Sequence, residues 1–489
     1  MVGDNDAGAF ATYGQAGQNY GTHLLWTLLL LVPVLYVNQE MVLRLGTVTG
    51  VGHARLILER FGKFWGAFSV IDLLILNALT LVTEFIGITL AASYLGLPRI
   101  VAVLLAAAVI VGSAFTGSFR RFERVAMAFC GASLLLIPVY FVSHPHLSQL
   151  AHDFVIPSLP GGAGQLPVVL LLVIGIVGTT VAPWQLFFQQ SYVIDKRITP
   201  RFMRYEKADL WIGIVTVVIG AAALMGATAA AFAHSGAAGH FTDSAGLAHG
   251  LAAYAGHAAG VLFAIALLDA SVIGAFAVSL STAYAIGDVL GLRHSLHRGV
   301  KNAKGFYAVY AGLVAVAAVI VLVPGSPLGL LTVGVQVLAG VLLPSATVFL
   351  LLLCNDSEVL GPWVNTRKTN LFTASVIAVL VTLSVILTAS VLFPAITATQ
   401  ILAIVAVCGA GALAAAAYAV IRRRSAGVFA EAAIPERTAR DHWRMPPLML
   451  LQRPVMSTGR KVGMGALRLY LLAAMVLVIV KVIQLAIGH

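Results

Sequence analysis

Apolar residues run along this chain in blocks of about 20, the length that crosses roughly 30 Å of hydrocarbon as a helix. The blocks fall near 22–46, 64–95, 98–117, 124–143, 165–192, 209–234, 258–289, 305–324, 328–354, 371–393, 398–421 and 466–487. A shorter stretch at about 6–20 precedes them, counts as the first segment and is too short to span alone. No gap between blocks is long enough for a soluble domain. The pattern predicts an all-α, polytopic membrane protein. It divides into a transmembrane domain over 1–421, a basic interfacial segment over 422–465 and a C-terminal transmembrane helix over 466–489.

Two blocks carry helix-weakening residues where a membrane helix should continue. One is Asp6-Ala7-Gly8-Ala9-Phe10-Ala11-Thr12, and the other is Gly178-Thr179-Thr180-Val181-Ala182-Pro183-Trp184-Gln185. Broken helices at matching places in two halves of a transporter free backbone carbonyls and helix ends, which can coordinate an ion near the bilayer midplane. Asp6 supplies a charge there. Each residue also has a plainer explanation: Asp6 as a helix N-cap, Pro183 as an ordinary kink, and Trp184 as packing.

Composition agrees with the pattern, because 60% hydrophobic and 10% charged residues exclude a soluble globular protein. The net charge of +11 does not point to nucleic acid, since the basic residues alternate from loop to loop. Arg44 to Lys63, Arg120 to Arg124, Lys196 to Lys207, Arg293 to Lys304, Arg367 with Lys368, and Arg422 to Arg424 form one set, and Arg99 is the exception on the other side. The positive-inside rule makes the basic loops and the N-terminus cytoplasmic, in a multi-pass cell-membrane protein whose partner is the lipid bilayer. Cys130, Cys354 and Cys408 lack metal or disulfide spacing and read as packing residues. MVGDND has no basic n-region, so the chain reads as starting inside a membrane segment.

Two longer loops on the outer side, 143–167 and 234–257, carry His144, His146, His152, His234, His240, His249 and His257, with Asp153 and Asp243. They read either as solvated loops with scattered His or as collectors of divalent ions. The tail after Arg422 is basic and Pro-broken, and is expected along the cytoplasmic interface with Trp443 and Leu448 to Leu451 touching headgroups.

Ionisable residues inside membrane segments are functional candidates by default. Here they are Asp6, Glu40, Asp72, Glu84, Asp269 and Asp288. Glu40 and Asp288 lie at segment ends beside basic loops, where interfacial pairing suffices. Asp72 fits a packing or capping carboxylate with Asn77 nearby. Asp269 either lines a water-filled path or pairs with another helix, and Glu84 is a path residue or a buried structural carboxylate.

The opening stretch with Gln15-Ala16-Gly17 resembles the DPGNFAT…QAG pattern on the first helix of the natural resistance-associated macrophage protein (NRAMP) family of divalent metal transporters. Gly178 to Gln185 is similar to that family's GATVMPHN, and Thr83-Glu84-Phe85-Ile86-Gly87 to its AEVIG. Asn355-Asp356 through Val364-Asn365 resembles the cytoplasmic segment after its tenth helix. The resemblance covers residues 6–370 with the motifs in order. It implies a LeuT-type fold: two inverted five-helix repeats followed by three further helices, with the first helix truncated, because only Met1 to Asn5 precede Asp6.

Carried over by position, the family's Asp stays as Asp6, while its Asn becomes Ala9 and its Met becomes Ala182. Losing the thioether removes the soft ligand that favours transition metals, and two small side chains enlarge the site. That suits Mg²⁺, which keeps several waters and takes one or two carboxylates. Backbone carbonyls near Thr179 and at the break before Pro183 would complete the shell, with Gln185 or Gln336 holding its waters. The family's His becomes Trp184, and the Asp three residues before Glu84 becomes Leu81, which implies weak or absent proton coupling. The resemblance thus implies the NRAMP-related magnesium transporter branch: an importer of Mg²⁺ and also Mn²⁺, with the ion as cargo and neither cofactor nor enzymatic activity. A proton-coupled Mn²⁺ or Fe²⁺ importer, with Glu84 or Asp269 carrying the proton, is the second reading. An amino-acid transporter conflicts with the buried charge of Asp6, and a non-transporting sensor or assembly partner rests on the basic tail alone. Oligomeric state stays open.

Overall fold

The computed structural model describes residues 2–160, 165–233, 235–323, 328–393, 396–425, 441–451 and scattered positions over 461–476. A 3-10 turn, Val2–Asp4, opens the chain. Then come α1 (Ala7–Tyr20), α2 (Trp26–Thr49), α3 (His53–Phe61), α4 (Lys63–Tyr94), α5 (Arg99–Phe115), α6 (Phe119–Ala132), α7 (Leu136–Val142) and α8 (Leu147–Val155). The second half holds α9 (Leu166–Thr180), α10 (Pro183–Asp195), α11 (Met203–Phe232), α12 (Ser244–Tyr254), α13 (His257–Leu290), α14 (Lys304–Leu322) and α15 (Leu328–Cys354). The short α16 (Ser357–Leu360), α17 (Arg367–Leu392) and α18 (Ala398–Ser425) follow. Among the described residues ten helical stretches are long and apolar enough to cross a membrane, and α5 is a shorter apolar helix.

Two five-helix units of inverted topology make up the core. The first is α1, α2, α4, α5 and the α6–α7 pair, and the second is α9–α10, α11, α13, α14 and α15. Each opens on an interrupted helix. Corresponding helices exchange partners across the units: α4 packs on α13, α1 on α11, and α10 on α2. Most of the third C-terminal helix expected at 466–487, and most of the basic tail, lie outside the described residues.

Lipid offers no hydrophobic force to press helices together, so their packing relies on close backbone approach at small residues. At Gly87 of α4, Ser271 of α13 and Ala7 of α1 crowd the place where a side chain would start. Outward surfaces stay apolar, as at Ile100, Leu104 and Leu105 of α5, each around 60% exposed. In hydrocarbon that exposure carries no penalty.

On the basic side the units are tied by ions. Arg60 at the end of α3 reaches Asp356 at 2.6 Å and Glu358 at 3.0 Å. Arg44 donates to the Trp363 carbonyl and to Asn365 Oδ1, both at 2.6 Å. The segment after α15 therefore clamps the C-terminal ends of α2 and α3. Glu40 and Asp288 do pair at the interface, Glu40 with Arg44 at 3.0 Å and Lys207 at 2.8 Å, and Asp288 with His294 at 3.1 Å. On the opposite side, Arg99 donates to the Val321 carbonyl at the end of α14.

Besides the four-residue α16, three helices are absent from the block pattern: α3, α8 and α12, of 9, 9 and 11 residues. Each is too short to register as a span. The last two fill the supposed outer loops, and α12 starts where Asp243 accepts from the Gly246 amide at 2.8 Å. Trp443 departs from expectation as well. It lies half-buried against Gly361, whose positive φ and missing side chain admit the indole, so it touches protein rather than headgroups alone.

Candidate ion site

Asp6 sits in the gap between the 3-10 turn and α1, and its Oδ1 accepts from the Ala9 amide at 2.9 Å. The N-cap reading is therefore correct as far as it goes. A carboxylate has about four lone-pair sites, so capping leaves acceptor capacity for an ion. Asp4, which the sequence pattern did not single out, is equally buried two residues earlier, with Oδ2 unpartnered. The D-N-D run was its only signal.

The second break is narrow. α9 stops at Thr180, Val181 leaves the helix, Ala182 is extended, and α10 restarts at Pro183. The helical partner of the Thr179 carbonyl would be the N–H of residue 183. Proline has none, so the chain's own chemistry releases that oxygen. The carbonyl end of α9 adds negative partial charge, which favours a cation. Tyr13, two turns along α1 from Asp6, brings its hydroxyl to 2.6 Å from Thr180 Oγ1, joining the two broken helices.

Gln336 of α15 lies between them. A side chain on Gly8 would collide with the Gln336 amide nitrogen, and one on Gly178 would meet the Gln336 carbonyl at 2.0 Å. Asp6, Ala9, Thr179, Ala182, Gln185 and Gln336 are all at most 3% exposed, so this state is closed to both sides. Several polar atoms in this closed region lack protein partners: Thr12 Oγ1, Thr179 Oγ1, Gln185 Nε2 and Gln336 Nε2. Buried polar atoms are ordinarily satisfied, so this concentration marks a place built for water or an ion. Among the described residues no group of three or more His, Cys, Asp or Glu is arranged to hold a metal.

Residues 1–390 match the description Nramp, natural resistance-associated macrophage protein-like. The chain belongs to the Nramp family. It is 28% identical over 376 residues to the divalent metal cation transporter MntH of Burkholderia ambifaria, covering 74% of this chain and 80% of that protein. With MntH of Klebsiella pneumoniae it shares 26% identity over 402 residues, 78% of this chain and 90% of the relative. In fold it is similar to the Eremococcus coleocola manganese transporter solved with an aromatic bis-isothiourea substituted compound. That likeness has a TM-score of 0.64 at 21% identity, over 84% of this chain and 90% of the other.

Within this Nramp chain, Glu84 of α4 stands at the start of α1. Its Oε2 accepts from the Ala7 amide at 3.2 Å, Oε1 has no partner, and the carboxyl neighbours that of Asp6. Gly274 of α13 makes room for it, since a side chain there would lie 2.6 Å from the carboxyl. Asp269 is elsewhere. Ser271 faces α1, and a residue two positions away on a helix points roughly 200° round. Asp269 accordingly meets α6–α7, accepting from Ser133 at 3.1 Å, so the helix-pairing alternative describes it. Trp184 is buried against Phe188, and its carbonyl accepts from Ser281 at 2.8 Å. Leu81, one turn before Glu84, is buried and apolar.

Gln185 accepts from Gln39 Nε2 of α2 at 3.4 Å, longer than a well-formed bond. Gln39 escaped the sequence reading, although Asn38-Gln39-Glu40 inside an apolar helix was visible. Asp72 does not pair with Asn77, which donates instead to Thr282 at 2.8 Å. It lines a small crevice with Ser69, Ser345 and Pro183, with Oδ1 unpartnered.

On the side away from the basic loops, the C-terminal end of α1 opens into a cavity of about 470 Å³ edged by His23 and His146. Asp153 beside it accepts from Thr22 and from His152. Desolvation pushes its carboxyl up, but these bonds and the nearby His side chains outweigh it and hold it below the usual range. His234 lies outside the described residues, and the other loop His form no metal cluster among those described.

Proposed function

We propose that this chain carries divalent cations across the cell membrane by alternating access around Asp6, with its basic loops and N-terminus in the cytoplasm. The observation that carries the reading is the Asp6 carboxylate between two broken helices, with that of Glu84 beside it, closed off among unpartnered oxygen and amide groups. The named relatives transport divalent metal cations. The preferred cargo is Mg²⁺, with Mn²⁺ also accepted, because Ala9 and Ala182 offer no side-chain ligand. Asp6, the Thr179 carbonyl and the amides of Gln336 and Gln185 are hard donors suited to an ion that keeps part of its water. Trp184 and Leu81 supply no titratable group, which supports weak proton coupling.

One contact favours the second reading, a proton-coupled Mn²⁺ or Fe²⁺ importer. Glu84 neighbours Asp6 in a site closed to solvent. A cation and a proton then compete for the same pair of carboxyls.

Uptake into proteoliposomes, comparing Mg²⁺, Mn²⁺ and Ca²⁺ while internal pH is followed, separates these readings. Mg²⁺ uptake without acidification is expected. Mn²⁺ uptake with acidification and no Mg²⁺ uptake overturns the magnesium assignment, and no uptake of any ion returns the chain to the sensor or assembly class. Selectivity has its own test. Ala182→Met restores a thioether beside the break and is expected to raise the Mn²⁺ over Mg²⁺ preference about tenfold, the effect of roughly 1.4 kcal/mol of differential binding. An unchanged ratio in competition uptake would remove residue 182 from the ion's shell.

A further inference from the structure

On the basic side, away from the ion site, α2, α11 and α17 enclose a cavity of about 400 Å³. Its polar end carries Arg44, Lys207 and Lys368 against the lone carboxylate Glu40, a surplus of two positive charges. Glu40 is already spoken for, with one oxygen on Arg44 at 3.0 Å and the other on Lys207 at 2.8 Å. Lys368 stands exposed in the first turn of α17. A helix N-terminus adds free amides and positive partial charge, which together favour an anion.

Arg44 gives a second, independent sign. It is only 6% exposed, its terminal nitrogens are engaged by Glu40, Trp363 and Asn365, and its Nε has no partner. A buried guanidinium donor left unmade is costly, so the positive charge of Arg44 is not fully met by its protein neighbours. The remaining wall is apolar. Tyr36 and Phe372 line it, Trp211 stacks on Tyr36 at 4.8 Å, and Trp211 and Phe372 are 43% and 38% exposed on helices that otherwise face hydrocarbon. Aromatic residues with one polar and one greasy neighbour belong at headgroup depth.

The geometry points to a binding site for the headgroup phosphate of an anionic phospholipid, with its acyl chains along Tyr36, Trp211 and Phe372. A soluble anion would use the charged end and leave the aromatic wall idle. A zwitterionic lipid would not answer the charge surplus. Basic pockets between membrane helices on the cytoplasmic side are a recurrent solution to anionic-lipid recognition. The site joins α17 to both five-helix units, so a bound lipid stabilises their association.

The test uses the full-length chain in mild detergent, with native mass spectrometry and thermal unfolding in added phosphatidylglycerol, phosphatidylcholine or inorganic phosphate. Phosphatidylglycerol is expected to be retained and to raise the unfolding temperature, while the other two do neither. Each lysine near an anionic surface contributes roughly a fivefold factor, so Lys207→Gln with Lys368→Gln is expected to weaken phosphatidylglycerol retention about 30-fold. Lys368→Gln alone changes an exposed side chain and is expected to lower retention about fivefold with unfolding in lipid-free detergent unchanged. Equal retention of both lipids, or wild-type retention by Lys368→Gln and the double variant, overturns the site. Inorganic phosphate giving the same stabilisation overturns the lipid assignment.

Discussion

Asp6→Ala abolishes cation uptake, with initial rates in proteoliposomes expected to fall at least about a hundredfold. The carboxylate stands at the break beside that of Glu84, and in a closed, water-poor site a charge acting on a dication contributes several kcal/mol. The same side chain caps α1 through the Ala9 amide. Loss of uptake in Asp6→Ala is therefore ambiguous alone, because removing a cap costs about 1 kcal/mol of stability. Asp6→Asn resolves it. Asn caps as well as Asp but carries no charge, so Asp6→Asn is expected to unfold at the wild-type temperature and still to fail in uptake. Asp6→Ala fails in both. Robust uptake by Asp6→Asn would make the residue a helix cap and nothing more.

Gly178→Val is expected to cost about 3 kcal/mol or more, seen as a large drop in unfolding temperature and in the folded protein recovered from membranes. The contact that forbids the side chain is backbone on backbone. Its first carbon would stand 2.0 Å from the Gln336 carbonyl oxygen and 2.4 Å from the Gly340 nitrogen. Neither can swing aside as a flexible side chain would. Gly340 reciprocates, with the Ile174 carbonyl 2.5 Å from the equivalent position. Helices pressed this close gain the dispersion contacts that hold membrane bundles together, and prising them apart forfeits those contacts. Gly112→Val on α5, where nothing lies within 4 Å, is the matched control and should be silent. A mild effect at Gly178 equal to that at Gly112 would show that α9 and α15 can separate without penalty.

Much of the architecture was legible because lipid imposes one length on every span. The block at 258–289 became α13 over His257–Leu290, and the block at 305–324 became α14 over Lys304–Leu322. What escaped were α3, α8 and α12, whose few turns at the interface answer to no such length rule. The breaks were legible for a different reason: Pro183, and the glycines Gly8 and Gly178, are poor helix formers whatever surrounds them. Partnerships between distant residues were not. Nothing along the chain announces that Asp269 faces Ser133, that Asn77 chooses Thr282 over Asp72, or that Tyr13 reaches Thr180. Each depends on which way a helix is turned, and an almost uniformly apolar helix gives periodicity little to grip. Asp4 was overlooked because Asp6 beside it already explained the acidity of that stretch.

The oxygen at Thr179 is freed by a missing donor at Pro183, not by the identity of any side chain at residue 179. An alanine scan would register Asp6 and pass over this group altogether, because every residue type presents the same carbonyl. On the proposed reading, side chains at positions 9 and 182 can drift and retune which ion is favoured, while the imino acid keeps one ligand constant. A change of cargo would then require no refolding of the break.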